Sequence, residues 1–220
     1  MQINSFNTKN IGVFINKERE EMKLTVEIAE KSLAEAEKQN PGAWGDHSRY
    51  VASACRNIAE KCDNLSAETA YIYGLLHDIG RYAGVSSEIH LIDGYRYCAE
   101  RGWKKAAQIC ITHAFMIQDI TSSIGKFDVT EDDYDFMRDF IKNAVYDYYD
   151  RLVQFCDALA LPSGFCLLEK RFIDVALRYG MHPSTIERWK KTLEIKAYFE
   201  NKIGCSIYDL LPGVKENTFK

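Results

Sequence analysis

The sequence predicts an all-α protein, a helical bundle with helical extensions at both ends. Only four prolines occur in 220 residues, so few positions interrupt a helix. Apolar residues recur at helical spacing along most of the chain, and no segment shows the alternation of a convincing strand. No internal repeat or low-complexity tract divides the chain. We therefore expect a single domain over residues 1–220.

The first two helices are predicted from charge and from helix-stopping residues. Residues 16–39 are rich in Glu and Lys on the faces turned to water, and Asn40-Pro-Gly42 ends this helix. Asp46 is predicted to cap a second helix over about 47–62. Apolar residues at helical spacing follow His47, so this histidine begins the buried stripe.

The remaining helices are predicted in the same way. Ser66 caps a helix that ends at His77-Asp78, and Ser86 or Ser87 caps the next one. Thr130, with Asp133 three residues later, opens a long helical stretch. The predicted ranges are about 88–101, 103–116, 130–160 with a break near Lys142, a turn at 161–164, and closing helices at 166–179 and 184–202.

Composition excludes two classes of partner. The formal net charge is −4 and the isoelectric point is about 5.8. General binding to nucleic acid, or to a membrane surface, needs an excess of positive charge that neutralises phosphates, so we expect neither. No apolar run has the length of a membrane-spanning helix. The N-terminus lacks the basic and apolar segments of a signal peptide.

The seven cysteines indicate a reducing environment. Their number is odd, no Cys-x-x-Cys pair occurs, and most of them lie at apolar helical positions. Buried thiols explain this pattern better than a disulfide framework does. We therefore expect a cytoplasmic protein.

The pair His77-Asp78 carries the strongest chemical signal. It ends an apolar helical run and is followed at once by Ile79-Gly80. An imidazole beside a carboxylate packs poorly in a core, yet the two make a good pair of metal ligands. Four further candidate ligands lie on inward faces of other predicted helices: His47, His90, His113 and Asp157.

Each candidate also has a purely structural interpretation. A lone histidine on an apolar face is usually a hydrogen-bonded core residue, and this interpretation applies to His47, His90 and His113. Asp157 lies in an apolar run, where an unpaired carboxylate would be costly to bury and where metal ligation relieves that cost. His182 precedes Pro183 in a turn, and we interpret it as a surface or capping residue.

The spacing of the candidates favours a site between helices. The intervals of 30, 13, 23 and 44 residues are too long for a zinc finger and suit the core of a bundle. Mixed imidazole and carboxylate ligands favour Fe or Mn, with Zn, Co, Ni or Mg as further options. The two oxygens of Asp78 could bridge two divalent ions roughly 3.5–4 Å apart, which would activate a water as hydroxide.

At these residues the chain resembles the HD superfamily, whose members are mostly phosphohydrolases. The resemblance rests on Asp46-His-Ser-Arg-Tyr-Val51, His77-Asp-Ile-Gly-Arg81 and Asp157-Ala-Leu-Ala-Leu-Pro-Ser-Gly164, and it covers a core of about 44–165. His90 and His113 are similar to the extra ligands of the binuclear branch. That branch includes bacterial diadenosine tetraphosphate hydrolases and cyclic dinucleotide phosphodiesterases.

The resemblance implies a division of the ligands between two ions. His47, His77, Asp78 and Asp157 would hold one metal, and Asp78 would bridge to a second metal held by His90 and His113. It also implies that Asp78 takes part in catalysis. The signature is specific for the fold and the metal site, and it leaves the substrate open.

Positive charge near the ligands could bind a substrate phosphate. Arg81 follows His77-Asp-Ile-Gly80 directly and is the main candidate. Solvated surface is the usual interpretation of the others, which are Arg49, Lys104, Lys105, Lys126 and Arg151. Three tyrosines, Tyr146, Tyr148 and Tyr149, precede Asp157, and they suit core packing with a bonded hydroxyl or stacking on a nucleobase.

Three functions are consistent with these residues. The first is a metal-dependent phosphohydrolase that acts through a metal-bound hydroxide on a nucleotide or another small phosphorylated metabolite. The second is a di-iron oxygenase of a small polyol or phosphonate, which some HD proteins are. A sensor with a vestigial site is disfavoured because every expected ligand is present. The sequence leaves open whether the N-terminal helix and the last fifty residues cover the site or form a homodimer surface.

Overall fold

The computed structural model describes residues 23–220, and in this range it confirms the predicted all-α fold. Among these residues, ten α-helices and one hairpin of two short strands follow one another. Their bounds are α1 Val26–Gln39, α2 Trp44–Ala59, α3 Ala67–Leu76, α4 Ile89–Ala99, α5 Lys104–Thr112, α6 Glu131–Asn143, α7 Tyr148–Asp157, β1 Ala160–Leu161, β2 Gly164–Phe165, α8 Leu168–Tyr179, α9 Thr185–Ile203 and α10 Val214–Thr218. Short 3₁₀ helices occur at Ile79–Ala83, Ile120–Ser122 and Ile207–Leu210.

Side-chain caps fix several of the predicted helix starts. The hydroxyl of Ser66 accepts a hydrogen bond from the amide of Thr69 (3.2 Å), and that of Thr130 accepts one from Asp133 (3.2 Å), as predicted. The predicted break in the long helix lies between α6 and α7. There Asp147 and Asp150 form a reciprocal capping box that starts α7.

Two predicted caps are wrong. The second helix begins at Trp44, so Asp46 lies within its first turn, where it accepts a hydrogen bond from Arg49 (3.1 Å). A carboxylate there is still favourable because the first turn carries the positive end of the helix dipole. The helix also ends at Ala59 and not near residue 62.

The cap of α4 comes from a distant loop. Neither Ser86 nor Ser87 caps it. Instead, Asp128 accepts hydrogen bonds from the amides of Ser87, Glu88 and Ile89 at 2.7–2.8 Å. A cap 40 residues away in sequence leaves no local signal, which is why the prediction failed.

Other boundaries differ more modestly. Residues 16–22 of the first predicted helix lie outside the described residues, and α1 begins after Thr25, which caps it. The α5 helix is shorter than predicted. The predicted turn at 161–164 joins two antiparallel strands, contrary to the expectation of no strand. The helices α8 and α9 agree with prediction within two residues, and α10 was not predicted.

Two glycines let the helices that carry the candidate ligands approach closely. A Cβ on Gly74 would lie 2.6 Å from the Cα of Ala52, so α3 and α2 touch backbone to backbone. A Cβ on Gly80 would lie 1.9 Å from the carbonyl oxygen of His90, so the turn after Asp78 sits directly on α4. Neither contact tolerates a larger residue without a shift of a backbone segment.

The largest hydrophobic cluster joins the C-terminal helices to the central ones. Phe155 of α7 stacks with Phe199 of α9, with ring centroids 6.3 Å apart, and Leu168 of α8 and Ile195 of α9 are buried in the same cluster. All seven cysteines are free and six are buried, as expected for structural thiols. Among residues 23–220, no helix combines the length and apolar character needed to cross a membrane.

Candidate metal centre

The six candidate ligands lie close together at the base of one cleft, and most of them lie at helix ends. His47 lies in the first turn of α2, and His77 directly follows α3 and precedes Asp78. His113 directly follows α5. His90 lies in the first turn of α4, and Asp157 is the last residue of α7.

Two groups of potential ligand atoms share one residue. His47, His77 and Asp78 offer one group, and Asp78, His90 and His113 offer the other, with the atoms of each group within 4.8 Å of one another. All five residues are buried. Asp78 belongs to both groups, as a bridging carboxylate would.

Asp157 belongs to neither group but adjoins the first. Its Oδ1 lies 2.8 Å from Nε2 of His47. Burial would raise the pKa of Asp157, but the hydrogen bond from His47 and the positive charge of Arg171 hold it well below its usual range. The carboxylate is therefore ionised and available as a ligand at neutral pH.

Backbone carbonyls fix the orientation of three imidazoles. Nδ1 of His77 donates to the carbonyl oxygen of Gly74 (2.6 Å), Nδ1 of His113 donates to Ile109 (3.1 Å), and Nδ1 of His90 donates to Ser87. A carbonyl oxygen can only accept, so Nδ1 must carry the proton. Each Nε2 then presents a lone pair, which is the arrangement that metal-binding histidines adopt.

The centre contains polar atoms that nothing else satisfies. Among the described residues, Nε2 of His77 and Oδ1 of Asp78 are buried without a hydrogen-bond partner. Buried polar atoms without a partner are costly, and a cation would satisfy both of these. The donor set, four imidazoles and two carboxylates, suits divalent transition ions. The residues present therefore fit the metal site that the sequence predicts.

Burial and neighbouring groups shift the pKa values of the ionisable side chains at the centre. Burial lowers the pKa of His77 to about 4, so its imidazole is neutral at pH 7. Burial would raise the pKa of Asp78, but Arg81 and the neighbouring histidines hold it well below its usual range. Burial would lower the pKa of His113, but contact with Asp78 raises it above its usual value.

Arg81 lies within the centre and pairs with the shared carboxylate. Its Nε donates to Oδ2 of Asp78 (2.6 Å), and its Nη2 lies 3.3 Å from Nε2 of His90. The side chain is 30 % exposed and lines the cleft. Arg81 is thus placed both to hold Asp78 and to face a bound anion.

The cleft above the centre has a volume of about 590 Å³. Its floor includes five of the six ligands, while His77 lies behind them. The loop at residues 40–44 and the segments 84–88 and 123–125 form its sides. Helices α8 and α9 form the remaining wall. None of the candidate site residues chosen from the sequence lies in these two helices.

The other charged candidates lie elsewhere. None of them lines the cleft in the described part of the chain. Arg49 pairs with Glu37 and Asp46, Lys105 pairs with Asp150 and Asp147, and Arg151 donates to the carbonyl oxygen of Met116. Lys104 and Lys126 are likewise absent from the lining.

The three tyrosines and His182 also lie outside the cleft. Tyr148 stacks on Tyr198, and the hydroxyl of Tyr149 accepts a hydrogen bond from the amide of Ser66. The hydroxyl of Tyr146 is buried without a partner among the described residues, so the expected bonded hydroxyl is wrong for this residue. His182 bonds Ser184 within its own turn, as predicted.

Four charged residues of the cleft were missed by sequence reasoning. Three are arginines of the C-terminal helices, Arg171, Arg178 and Arg188, and the fourth is Glu88. Glu88 is buried, its Oε1 accepts from the hydroxyl of Ser123 (2.8 Å), and its Oε2 has no partner among residues 23–220. The only sequence signal for Glu88 was its position two residues before His90.

Comparison with known proteins gives one match. The model of the HD domain family matches residues 44–161, from the first residue of α2 to the end of β1. This range covers more than half of the chain and contains all six candidate ligands. No curated protein and no solved structure matches the chain significantly.

Proposed function

The chain belongs to the HD domain family, and from this premise we propose that it is a metal-dependent phosphohydrolase. It would cleave a phosphate ester or anhydride of a nucleotide or another small phosphorylated metabolite. The observation that carries the proposal is the pair of ligand groups that share Asp78 at the floor of a cleft.

The six ligands would hold two divalent ions in the division that the family resemblance implies. His47, His77 and Asp157 would serve one ion, His90 and His113 the other, and Asp78 both. Ions in such a site supply Lewis acidity and lower the pKa of a water so that it can attack phosphorus. The carbonyl bonds to three imidazoles keep the ligands oriented without further rearrangement.

The residues around the centre would handle the phosphate. Arg81 can contact an anion over the floor while its Nε holds Asp78 in place. A guanidinium there offsets the charge that develops on the phosphoryl oxygens. No cysteine lines the cleft in the described residues, which supports water and not a thiol as the nucleophile.

The di-iron oxygenase remains the alternative because it would use the same six ligands. The two functions differ in their need for O₂. The purified protein, loaded with Mn or Fe, should release phosphate from a panel of nucleotides, dinucleoside polyphosphates, cyclic dinucleotides and sugar phosphates in the absence of oxygen. Asp78→Asn serves as the inactive control. An activity that appears only with O₂, with no phosphate release anywhere in the panel, would overturn the hydrolase.

A further inference from the structure

One wall of the cleft is built by helices outside the family match. The match ends at residue 161, whereas α8 and α9 contribute Arg171, Arg178 and Arg188 to the lining. These helices pack on the same hydrophobic cluster as α7, so the wall is held against the metal centre. The wall is therefore separate from the candidate ligands, which all lie within the family match.

Arg188 is held in place but lacks a carboxylate partner. Its Nη1 donates to the carbonyl oxygens of Ala114 and Ser122, both at 3.1 Å. In the range 23–220, no carboxylate forms an ion pair with it, although the charges of Glu88 and Asp157 act on it from farther away. Burial lowers its pKa, which marks a guanidinium taken out of water.

An unpaired, half-buried guanidinium is costly unless an anion binds it. The two carbonyl contacts occupy Nη1 and leave the other guanidinium nitrogens for a ligand. Ala114 directly follows the candidate ligand His113. An anion on Arg188 would therefore lie beside the second ligand group and within the same cleft.

Arg171 supplies a second cation on this wall. Its ion pair with Asp174 is long, at 3.5 Å, and its side chain is 21 % exposed. Its positive charge acts on Asp157, which places it toward the metal centre. Arg178, in contrast, is about half exposed and bonds Asp174 at 2.7 Å, so it has a partner already.

The charge of the whole cleft points in the same direction. Among residues 23–220, four arginines and three carboxylates line the cleft, so these side chains leave one net positive charge before any metal binds. Two divalent ions would add four positive charges. A single phosphate bound at the floor would contact Arg81. It would leave the arginines of the α8–α9 wall without an anion to bind.

We propose that Arg188 and Arg171 bind a second phosphate group of the substrate. The substrate class is then a molecule with two neighbouring phosphates, such as a nucleoside diphosphate or a polyphosphate, in preference to a simple monoester. The assignment of the first phosphate to the metal floor rests on the proposed function. The anion site on the wall stands on its own geometry.

Binding of an inert probe tests the wall directly. The protein is loaded with Mn, freed of excess metal, and titrated by calorimetry with methylenediphosphonate and, separately, with inorganic phosphate. We expect Arg188→Gln to weaken methylenediphosphonate binding roughly 10- to 100-fold, since charged hydrogen bonds are lost, while phosphate binding changes less than about twofold. Arg171→Gln should weaken the diphosphonate in the same sense.

Matched controls separate the wall from general effects. Arg138→Gln removes a more exposed arginine on α6, outside the cleft, and should change neither affinity. Melting curves and metal analysis check that each variant is folded and loaded. If Arg188→Gln does not fold, Arg171→Gln carries the test. Unchanged diphosphonate affinity in a folded, loaded Arg188 variant, or in the Arg171 variant where the former fails to fold, overturns the proposal.

The outcome is independent of the proposed reaction. If the wall variants lose diphosphonate binding but no phosphate compound is hydrolysed, the anion site stands and the hydrolase fails. If phosphate esters are hydrolysed but the wall variants bind the diphosphonate like wild type, the hydrolase stands and the second phosphate site is wrong.

Discussion

The floor and the α8–α9 wall of the cleft satisfy their charges in opposite ways. On the floor, Asp78 pairs with Arg81 at 2.6 Å and Asp157 with His47 at 2.8 Å, and backbone carbonyls orient three imidazoles. On the wall, Arg188 donates to two neutral carbonyl oxygens and forms no ion pair with any carboxylate of residues 23–220. This difference supports the proposal that the floor binds cations and the wall binds an anion.

The two regions also differ in whether the family match covers them. The floor lies wholly within residues 44–161, which match the HD domain family, and the wall lies wholly beyond them. We therefore expect loss of the shared ligand Asp78 on the floor to abolish the reaction for every substrate. Changes on the wall should alter which substrates are accepted.

The largest effect should follow removal of the shared ligand. Asp78→Asn keeps the shape of the side chain but removes the charge that both ligand groups use. We expect loss of both ions in elemental analysis and a fall in phosphohydrolase activity of roughly 1000-fold or more. Asp139→Asn, on the exposed face of α6, is the control and should change neither. Full metal content in the Asp78 variant would contradict the claim that the floor binds metal through this carboxylate.

The second-largest effect should be a loss of protein stability when the metal is removed. Ions bound only by the folded state contribute about 4 kcal/mol when present at 1000 times their dissociation constant. For a chain of this size, a chelator should then lower the melting temperature by roughly 10 °C. The Asp78→Asn variant should melt at the same temperature with and without the chelator. An unchanged melt of the metal-stripped wild type would show that the ligands do not act together.

Acid should destabilise the metal-free floor through His77. Its pKa is about 4 in the folded protein and about 6.5 when unfolded, so the unfolded chain binds more protons between these values. Stability present above pH 6.5 is therefore lost as the pH falls toward 4. Between pH 7 and pH 5 we expect a loss of roughly 2 kcal/mol in urea unfolding.

The other groups with shifted pKa values at the centre lose their contribution to stability outside the range from pH 7 to pH 5. The pKa of His113 is raised, so its contribution is present below pH 6.5 and is lost only at higher pH. Asp78 and Asp157 have lowered pKa values and lose their contribution only near and below pH 4. His77→Gln should therefore remove most of the loss between pH 7 and pH 5. An equal loss in the variant would assign the effect to other groups.

The smallest predicted effect sharpens the contrast between Arg81 and the wall. Arg81 is not a ligand, so Arg81→Ala should keep its metal content and lower kcat/KM for phosphorylated substrates roughly 10- to 100-fold. The loss should be similar for monophosphates and diphosphates, unlike that of the wall variants. Arg49→Ala, which removes a paired arginine outside the cleft, is the control. Unchanged kinetics in Arg81→Ala would make Arg81 a structural residue only.

The sequence predicted the floor because its signals are local. Each candidate ligand lies on or beside a buried stripe that helical periodicity reveals, and the His77-Asp78 doublet is too polar for an apolar run. Gly80 was part of the same motif, and its close approach to His90 explains why it is glycine. Periodicity also predicted α8 and α9 to within two residues.

The wall could not be predicted because it depends on how distant segments meet. In the sequence, Arg171 and Arg188 look like ordinary helix residues. They line the cleft because α8 and α9 pack beside the floor. The same limit explains the failed cap of α4, where Asp128 replaces Ser86 or Ser87. Nothing near α4 in sequence signals that contact.

Counting metal ions tests the central claim most directly. The wild-type protein and His113→Ala, each saturated with Mn and then freed of excess metal, are compared by elemental analysis. Two ligand groups that share Asp78 predict two ions per chain in the wild type. The variant should retain one ion, because only the group with His90 loses a ligand. A single ion in the wild type that His113→Ala leaves unchanged would contradict the binuclear centre.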